Sequence, residues 1–220
     1  MHAARIRIKI CGLTRVEDVA AAVAAGVDAL GFVCYRASPR AVTVAELAVL
    51  TAALPPFVTP VVLFVDPQPQ EVAAVLAAVP QALVQFHGRE SPDFCRQFGR
   101  PYLKAIPASD PLTWQRQAEA YRDAAGWLID TPSPHHGGSG RPFDWSQVLP
   151  PNERSRPLIL AGGLTPENVA SAIAHVRPWA VDVSSGVEAA KGIKDRGKIE
   201  RFVAAVRVAE AALLGVAPSA

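Results

Sequence analysis

Four side chains that can transfer protons follow short β-branched runs of the chain. Cys11 ends the first run, His87 the fourth and Asp130 the sixth, and Asp182 lies near the end of the eighth. A thiolate and a carboxylic acid on opposite sides of a substrate can act as a general base and a general acid. Each residue also has a structural interpretation, as a small buried thiol, a turn or capping carboxylate, or a hydrogen-bonded histidine.

Two turns rich in glycine and serine predict a phosphate site. Gly162 and Gly163 follow the seventh run, and Ser184, Ser185 and Gly186 follow the eighth. Glycine lets backbone N–H groups approach an anion closely, and a helix N-terminus adds a favourable dipole. Ordinary strand-to-helix turns favour the same residues, but the two turns together predict a phosphate cradle.

Short β-branched runs alternate with longer Ala-rich amphipathic segments along the chain. Eight strands are predicted, at Arg5–Ile10, Asp28–Val33, Thr59–Val65, Ala82–Phe86, Pro101–Ile106, Gly126–Asp130, Pro157–Leu160 and Ala180–Val183. The alternation indicates a parallel sheet, and eight runs in 220 residues favour a closed barrel over an open doubly wound sheet. We therefore predict one α/β domain over residues 1–220, a (β/α)8 TIM barrel, with a frayed tail at 215–220.

Capping residues mark the predicted helix starts. Two pairs have capping-box spacing, Thr14 with Glu17 and Thr43 with Glu46. Three other starts place a cap residue before a proline, at Ser91-Pro92, Asp110-Pro111 and Thr165-Pro166. The last helix is predicted from about Asp195, and the charges from Lys194 to Arg201 are interpreted as a solvated face.

Side-chain alternation along strands indicates which polar residues face the barrel interior. Lys9 and Cys11 share one face of the first strand, and Gln85 and His87 share one face of the fourth. Because the eighth strand neighbours the first in a closed barrel, we predict an ion pair between Lys9 and Asp182. A free thiol is only about 3% ionised at pH 7. Lys9 and the helix after the first strand are expected to favour the Cys11 thiolate.

Composition excludes several classes of protein. Hydrophobic residues make up 50% and charged residues 19%, and the dispersed net charge of +2 argues against a nucleic-acid partner. The three cysteines form no CxxC pair, which suits a reducing compartment. The first ten residues are too charged for a signal peptide, and no apolar run approaches the ~20 residues of a membrane span. A cytoplasmic protein without membrane contact is predicted.

No metal site is expected from the sequence. His135 and His136 are adjacent in a predicted loop, 132–141, and they do not have the spacing of zinc ligands.

These positions together resemble the phosphoribosylanthranilate isomerase family over nearly the whole chain. The matching runs are Lys9–Thr14, Gly31–Val33, Ser38–Arg40, Val84–Gly88, Asp130-Thr131, Gly137–Gly140, Phe143–Trp145, Leu160–Leu164 and Val181–Glu188. Some runs are weak singly, but their order and spacing are specific to the family.

The resemblance implies an Amadori rearrangement of N-(5-phosphoribosyl)anthranilate to 1-(2-carboxyphenylamino)-1-deoxyribulose 5-phosphate, in tryptophan biosynthesis. By resemblance, Asp130 is the acid that protonates the furanose ring oxygen, and Cys11 is the base that removes the C2 proton. Arg40 contacts the anthranilate carboxylate, and His87 and Asp182 bind or orient the substrate. The phosphate lies on the two glycine turns, in agreement with the cradle predicted above. No cofactor is implied, because the iminium intermediate serves as the electron sink.

Three other functions are weighed against this one. The histidine-pathway aminoaldose isomerase runs the same chemistry on a two-phosphate substrate, but it has an aspartate where this chain has Cys11. A second phosphate cradle is also missing from the sequence of residues 60–110. A non-catalytic phosphosugar-binding module would keep only the phosphate cradle. The presence of both Cys11 and Asp130 argues against this alternative. A redox role of the cysteines is the weakest alternative.

The sequence leaves open whether the protein is a monomer or a homodimer.

Overall fold

Eight parallel strands, joined in chain order, close into a barrel. The computed structural model describes residues 5–108, 111–130, 145, 148 and 150–215, with the backbone alone at 111–113. The strands are β1 (Arg7–Cys11), β2 (Ala29–Val33), β3 (Thr59–Phe64), β4 (Leu83–Phe86), β5 (Tyr102–Pro107), β6 (Gly126–Asp130), β7 (Leu158–Leu160) and β8 (Ala180–Val183). Each strand pairs with the next, and β8 pairs with β1. The predicted (β/α)8 barrel is confirmed, and each predicted strand end lies within two residues of the observed one.

Seven helices belong to the described part of the chain. They are α1 (Val16–Ala24), α2 (Val44–Thr51), α3 (Pro69–Ala78), α4 (Pro92–Arg96), α5 (Pro111–Ala120), α6 (Val169–Val176) and α7 (Arg196–Leu213). Between β6 and β7, the described residues include a short 3-10 helix, Pro151–Glu153. None of the helices in the described ranges has the length and apolar character that crossing a membrane requires.

Some sequence predictions fall on residues outside the described ranges. They concern the cap at Asp110, the predicted loop 132–141 with its glycine run at Gly137–Gly140, the matching residues Thr131, Phe143 and Asp144, and the tail after Gly215.

Three of the predicted helix starts are confirmed. Thr43 and Glu46 form the reciprocal capping box of α2, with the Glu46 carboxylate 2.8 Å from the Thr43 backbone nitrogen. Ser91 accepts a hydrogen bond from the third residue of α4, with proline at the first helical position. Asp195 caps α7, and Ile199 and Phe202 on the inner face of that helix are fully buried.

Two predicted helix starts, at Thr14 and at Thr165, are wrong, because neither threonine caps a helix. The Thr14 hydroxyl donates to the Gly192 carbonyl instead of capping, and α1 begins at Val16. After β7 the chain makes one more turn before α6. There the Thr165 backbone N–H donates to the Asn168 side chain, and α6 follows with Asn168 as its cap.

The barrel wall separates two apolar layers. Ile6, Ile8 and Ile10 point away from the barrel axis and are buried under the helices. Inside the barrel lies a second cluster, made of Val61, Leu103, Ala105, Leu128, Ile159, Ala161 and Ala180. Cys11 belongs to a smaller buried group with Val33, Leu63 and Val65, at the carboxyl ends of β1, β2 and β3. Cys11 therefore lies at the end of the barrel where the loops after the strands meet.

An antiparallel hairpin between β8 and α7 was not predicted. It pairs β9 (Glu188–Ala190) with β10 (Ile193–Lys194), and these strands are too short to give a sequence pattern. The hairpin also corrects the interpretation of Lys194 as part of a solvated face. The Lys194 side chain is 0% exposed, because it lies inward against Glu188.

Candidate active site

His87 and Asp130 come together at the carboxyl ends of β4 and β6. His87 Nε2 lies 3.3 Å from Asp130 Oδ2, and both side chains are largely buried. On the other side of the ring, the Gln85 amide nitrogen lies 3.0 Å from His87 Nδ1. Gln85 and His87 share the inner face of β4, as predicted. A carboxyl group and an imidazole in contact can exchange or stabilise a proton at this point of the barrel.

The predicted ion pair between Lys9 and Asp182 is confirmed. The two residues are neighbours in the β1–β8 register, and Lys9 Nζ lies 2.9 Å from Asp182 Oδ2 with both side chains buried. Burial acts to lower the pKa of Lys9, but attraction to Asp182 and to Cys11 outweighs burial, so this pKa is raised. Lys9 is therefore a fixed positive charge below Cys11.

The surroundings of Cys11 have opposing effects on the pKa of its thiol. Burial raises the pKa of the Cys11 thiol, and the Asp182 charge raises it further. Lys9 lowers this pKa, as predicted, and so does Lys194, but neither compensates for the loss of water around the sulfur. The net effect of these surroundings favours the neutral thiol.

Gly31 makes the space that Cys11 occupies. A Cβ atom at Gly31, beside Cys11 on β2, would lie 2.7 Å from Cys11 Sγ and 3.0 Å from Lys9 Cε. Real Cβ atoms do not approach this closely, so any larger residue at position 31 would displace the thiol, the ammonium or both.

Arg40, at the end of the loop after β2, is held by a residue of the unpredicted hairpin. Its Nε lies 2.7 Å from Glu188 Oε1 and its Nη2 lies 2.8 Å from Oε2, a bidentate pair. Lys194 Nζ lies 2.8 Å from the same carboxylate and 3.2 Å from the Ser184 carbonyl oxygen. Burial acts to raise the pKa of Glu188, but the hydrogen bonds and charges of Arg40 and Lys194 outweigh it and lower this pKa.

Sequence reasoning gave Glu188 and Lys194 no role. Glu188 was noted only as the last residue of a matching run, and Lys194 was placed on the surface. A signal existed in their spacing, because a glutamate and a lysine six residues apart lie across from each other when a glycine such as Gly192 turns a short hairpin between them.

We expect Glu188→Ala to destabilise the protein by about 3–5 kcal/mol, because it leaves two buried cations without their anion. Urea unfolding measures this loss. Glu200→Ala is the matched control, since Glu200 pairs with Arg196 on the surface of α7, and it should leave the unfolding midpoint unchanged. Equal midpoints for Glu188→Ala and Glu200→Ala would contradict the assignment of Glu188 as a buried anchor.

The two loops that were predicted to bind a phosphate lie in direct contact. Gly162 and Gly163 follow β7 with φ of 82° and 64°, a left-handed conformation that glycine adopts without strain. After β8, residues Ser185–Val187 form a 3-10 helix. A Cβ atom at Gly186 would lie 1.9 Å from the Leu164 carbonyl oxygen, so only glycine lets this loop rest against the loop after β7.

The comparisons with known proteins agree with one family. The family model for N-(5'phosphoribosyl)anthranilate (PRA) isomerase matches residues 8–205 of this chain. The chain belongs to the PRA isomerase family. An N-(5'-phosphoribosyl)anthranilate isomerase of Methylibium petroleiphilum is 54% identical over 207 residues, which are 94% of this chain and 96% of that protein.

Solved structures of the family share the fold over the same length. The phosphoribosyl anthranilate isomerase of Thermotoga maritima is 43% identical, with a TM-score of 0.86 over 92% of this chain and 99% of its own. A second PRA isomerase structure, in complex with reduced 1-(o-carboxyphenylamino)-1-deoxyribulose 5-phosphate, is 40% identical, with a TM-score of 0.83 over 92% and 99% of the two chains. The protein is therefore an isomerase, which decides against the redox and non-catalytic alternatives.

A second buried ion pair, between Lys104 and Glu90, supports the loop that carries His87. Lys104 Nζ lies 2.9 Å from Glu90 Oε2 and 2.7 Å from the Gly88 carbonyl oxygen. Glu90 Oε1 accepts hydrogen bonds from the backbone nitrogens of Asp66 and Gly88. The sequence did not predict this pair, because Lys104 lies on the outer face of β5 where an apolar residue is the usual occupant.

The other two cysteines are packing residues. Cys95 on α4 is 1% exposed, and burial raises its pKa to about 12. Cys34 packs against the outer apolar layer, and burial raises its pKa to about 12 as well. In the described part of the chain, no three His, Cys, Asp or Glu side chains gather as metal ligands would.

Proposed function

We propose that this isomerase converts N-(5'-phosphoribosyl)anthranilate to 1-(2-carboxyphenylamino)-1-deoxyribulose 5-phosphate, with Asp130 as general acid and Cys11 as general base. The observation that carries the proposal is the position of the two groups. They end strands β6 and β1 of one parallel barrel, so both lie at the carboxyl-end face, where barrel enzymes have their active sites. A base and an acid on different sides of that face can act on two atoms of one bound sugar.

In the proposed first step, Asp130 gives its proton to the furanose ring oxygen. The bond between C1 and that oxygen breaks, and the lone pair of the anthranilate nitrogen forms the iminium. Asp130 is left as a carboxylate beside His87 Nε2, at 3.3 Å. An N–H group at that distance stabilises the new negative charge.

In the proposed second step, Cys11 removes the proton from C2. The electrons of the C–H bond reduce the iminium to an enolamine, which then tautomerises to the ketone of the product. Cys11 accepts this proton as the thiolate and ends the step as the neutral thiol. Lys9 lies beneath the sulfur and interacts with it, so the thiolate that the step requires faces a fixed cation. No cofactor enters this scheme, because the iminium accepts the electron pair.

Substrate binding is assigned to residues around this pair. Arg40 would receive the anthranilate carboxylate on the part of its guanidinium that Glu188 leaves uncovered, since Glu188 holds Nε and Nη2. Asp182 Oδ1 is buried without a hydrogen-bond partner in the described ranges, which suits an acceptor for a sugar hydroxyl. His87 would orient the substrate through Asp130.

The phosphate is assigned to the two loops at Gly162, Gly163, Ser184, Ser185 and Gly186. We expect Gly186→Ala to separate these loops and weaken substrate binding by about 1–3 kcal/mol, since overpacking of this size is partly relieved by movement. Steady-state kinetics would show it as a raised KM. Gly197→Ala is the control, because a Cβ there would lie 3.3 Å from its nearest atom. An unchanged KM for Gly186→Ala would contradict the assignment of the phosphate.

The decisive experiment follows the loss of substrate fluorescence with purified protein in excess chelator. Rapid turnover supports the proposed reaction and its independence of added metal. No turnover on this substrate, with turnover on the histidine-pathway aminoaldose, would overturn the proposal. The same preparations give the solution mass, which distinguishes the proposed monomer of 23.3 kDa from the proposed homodimer. The proposed cytoplasmic location is checked by fractionation.

A further inference from the structure

Gln85 on β4 is a buried polar residue whose amide is only half satisfied. It is 0% exposed and lies level with Leu63 on β3 and Leu103 on β5, inside the barrel. Its Nε2 lies 3.0 Å from His87 Nδ1, whereas its Oε1 has no hydrogen-bond partner among the residues that the structure describes. Burying an amide oxygen without a partner destabilises a protein. Packing therefore does not account for a glutamine here, and its effect on His87 is the remaining explanation.

The hydrogen bond from Gln85 determines where His87 carries its proton. An amide NH₂ group can only donate, so the nitrogen that faces it must accept. A neutral imidazole has one accepting and one donating nitrogen. Since Nδ1 accepts from Gln85, the proton is on Nε2, the nitrogen that faces Asp130 Oδ2 at 3.3 Å.

We propose that Gln85 is a positioning residue of the isomerase, which fixes His87 as the Nε2–H tautomer so that an N–H group faces the Asp130 carboxylate. The proposal rests on the role of Asp130 as general acid given above. When the Asp130 O–H bond breaks and the proton passes to the ring oxygen, the His87 N–H stays in place and donates to the carboxylate that forms. In the opposite tautomer, the Nε2 lone pair would face that carboxylate and repel it.

The tautomer can be measured directly, without the substrate. Protein labelled with ¹⁵N in its histidines is recorded at about pH 9, where ordinary imidazoles are neutral, and the His87 signals are assigned with the variant His87→Asn. We expect a pyridine-type Nδ1 and a pyrrole-type Nε2 for His87. Gln85→Glu should invert this pattern, because a carboxylate accepts and draws the proton to Nδ1. Gln115→Glu, the same change on the exposed surface of α5, should leave it as in the wild type. A wild-type His87 with its proton on Nδ1 would overturn the proposal.

Activity and stability together separate positioning from packing. For Gln85→Met, which removes the amide but keeps the length, we expect a fall in kcat of about 10–100-fold with little change in KM. The melting temperature should be equal or higher, because the unpartnered oxygen is gone. A lower melting temperature with an unchanged kcat would show a purely structural role and overturn the proposal. If the wild type itself lacks turnover, the proposed function fails, while the ¹⁵N spectra still decide the tautomer.

Discussion

Asp130→Asn is expected to lower kcat by about 10²–10⁴-fold, the range for the loss of one general acid. Asparagine has nearly the shape of aspartic acid, so the contact with His87 Nε2, at 3.3 Å in this protein, can remain. It has no proton that it can release to the ring oxygen, so the ring must open without an acid. Because binding contacts are retained, KM should change little. Initial rates of fluorescence loss at saturating substrate measure the effect.

Asp93→Asn is the matched control for this variant. It makes the same chemical change on α4, at a side chain that is 92% exposed and pairs only with surface arginine in the structure's described part. Its kcat should equal that of the wild type. Urea unfolding of both variants verifies that Asp130→Asn is folded. A folded Asp130→Asn protein with more than about a tenth of the wild-type kcat would remove Asp130 from the role of acid.

The barrel was predictable because its information is local and periodic. Each β-branched run predicts a strand wherever it lies in the chain, and eight such runs separated by helices leave few ways to close a sheet. The helix starts were less predictable, because a threonine at capping spacing has other possible partners. Thr14 shows this, since its hydroxyl donates to Gly192, which lies far along the chain in the hairpin of β9 and β10.

The Lys9–Asp182 pair was predictable from the alternation of side chains along strands. The two residues needed only to face the same side of adjacent strands, and the register places them side by side. The pKa of Cys11 could not be predicted in the same way. Lys9 lowers this pKa, as predicted, but burial of the thiol makes the largest contribution and raises it. The sequence gives no measure of how far the thiol is removed from water.

Arg40 shows why resemblance alone gave an incomplete site. The matching motif predicted its contact with a substrate carboxylate, which the structure does not test. The structure adds a carboxylate of the protein itself, because Glu188 accepts hydrogen bonds from two nitrogens of Arg40. Lys194 donates to Oε1 of Glu188, the oxygen that also accepts from Arg40 Nε. This arrangement depends on a hairpin of five strand residues, too short to be seen as a periodic pattern. Long-range contacts made by short elements were the part that the sequence did not reveal.

Cys11→Ala is expected to reduce kcat by about 10²–10⁴-fold as well, since no other thiol lies at this position. Cys34→Ala is its control. Cys34 lies just past the end of β2 and packs outside the barrel wall, so its loss should cost stability but leave kcat nearly unchanged. The comparison is made in excess reductant, so that oxidation of a thiol cannot cause the difference. Equal loss of kcat in both variants would contradict the assignment of Cys11 as base.

The raised pKa of Cys11 also sets the direction of the pH dependence. Only the thiolate can accept the C2 proton, and while the thiol is mostly protonated its ionised fraction grows about tenfold per pH unit. Asp130→Asn isolates this dependence, because an amide side chain neither gives up nor takes up a proton in this pH range.

In Asp130→Asn the dependence on the ionisation of Cys11 is therefore expected to stand alone. The residual kcat/KM of this variant should rise with pH between about 6 and 9. The rise should continue above the pH at which an ordinary thiol is ionised, because burial raises the pKa of this one. A residual kcat/KM that does not vary over this range would mean that the base is a group other than the buried thiol. Asp182, whose Oδ1 has no partner within the described ranges, would then be the next residue to replace.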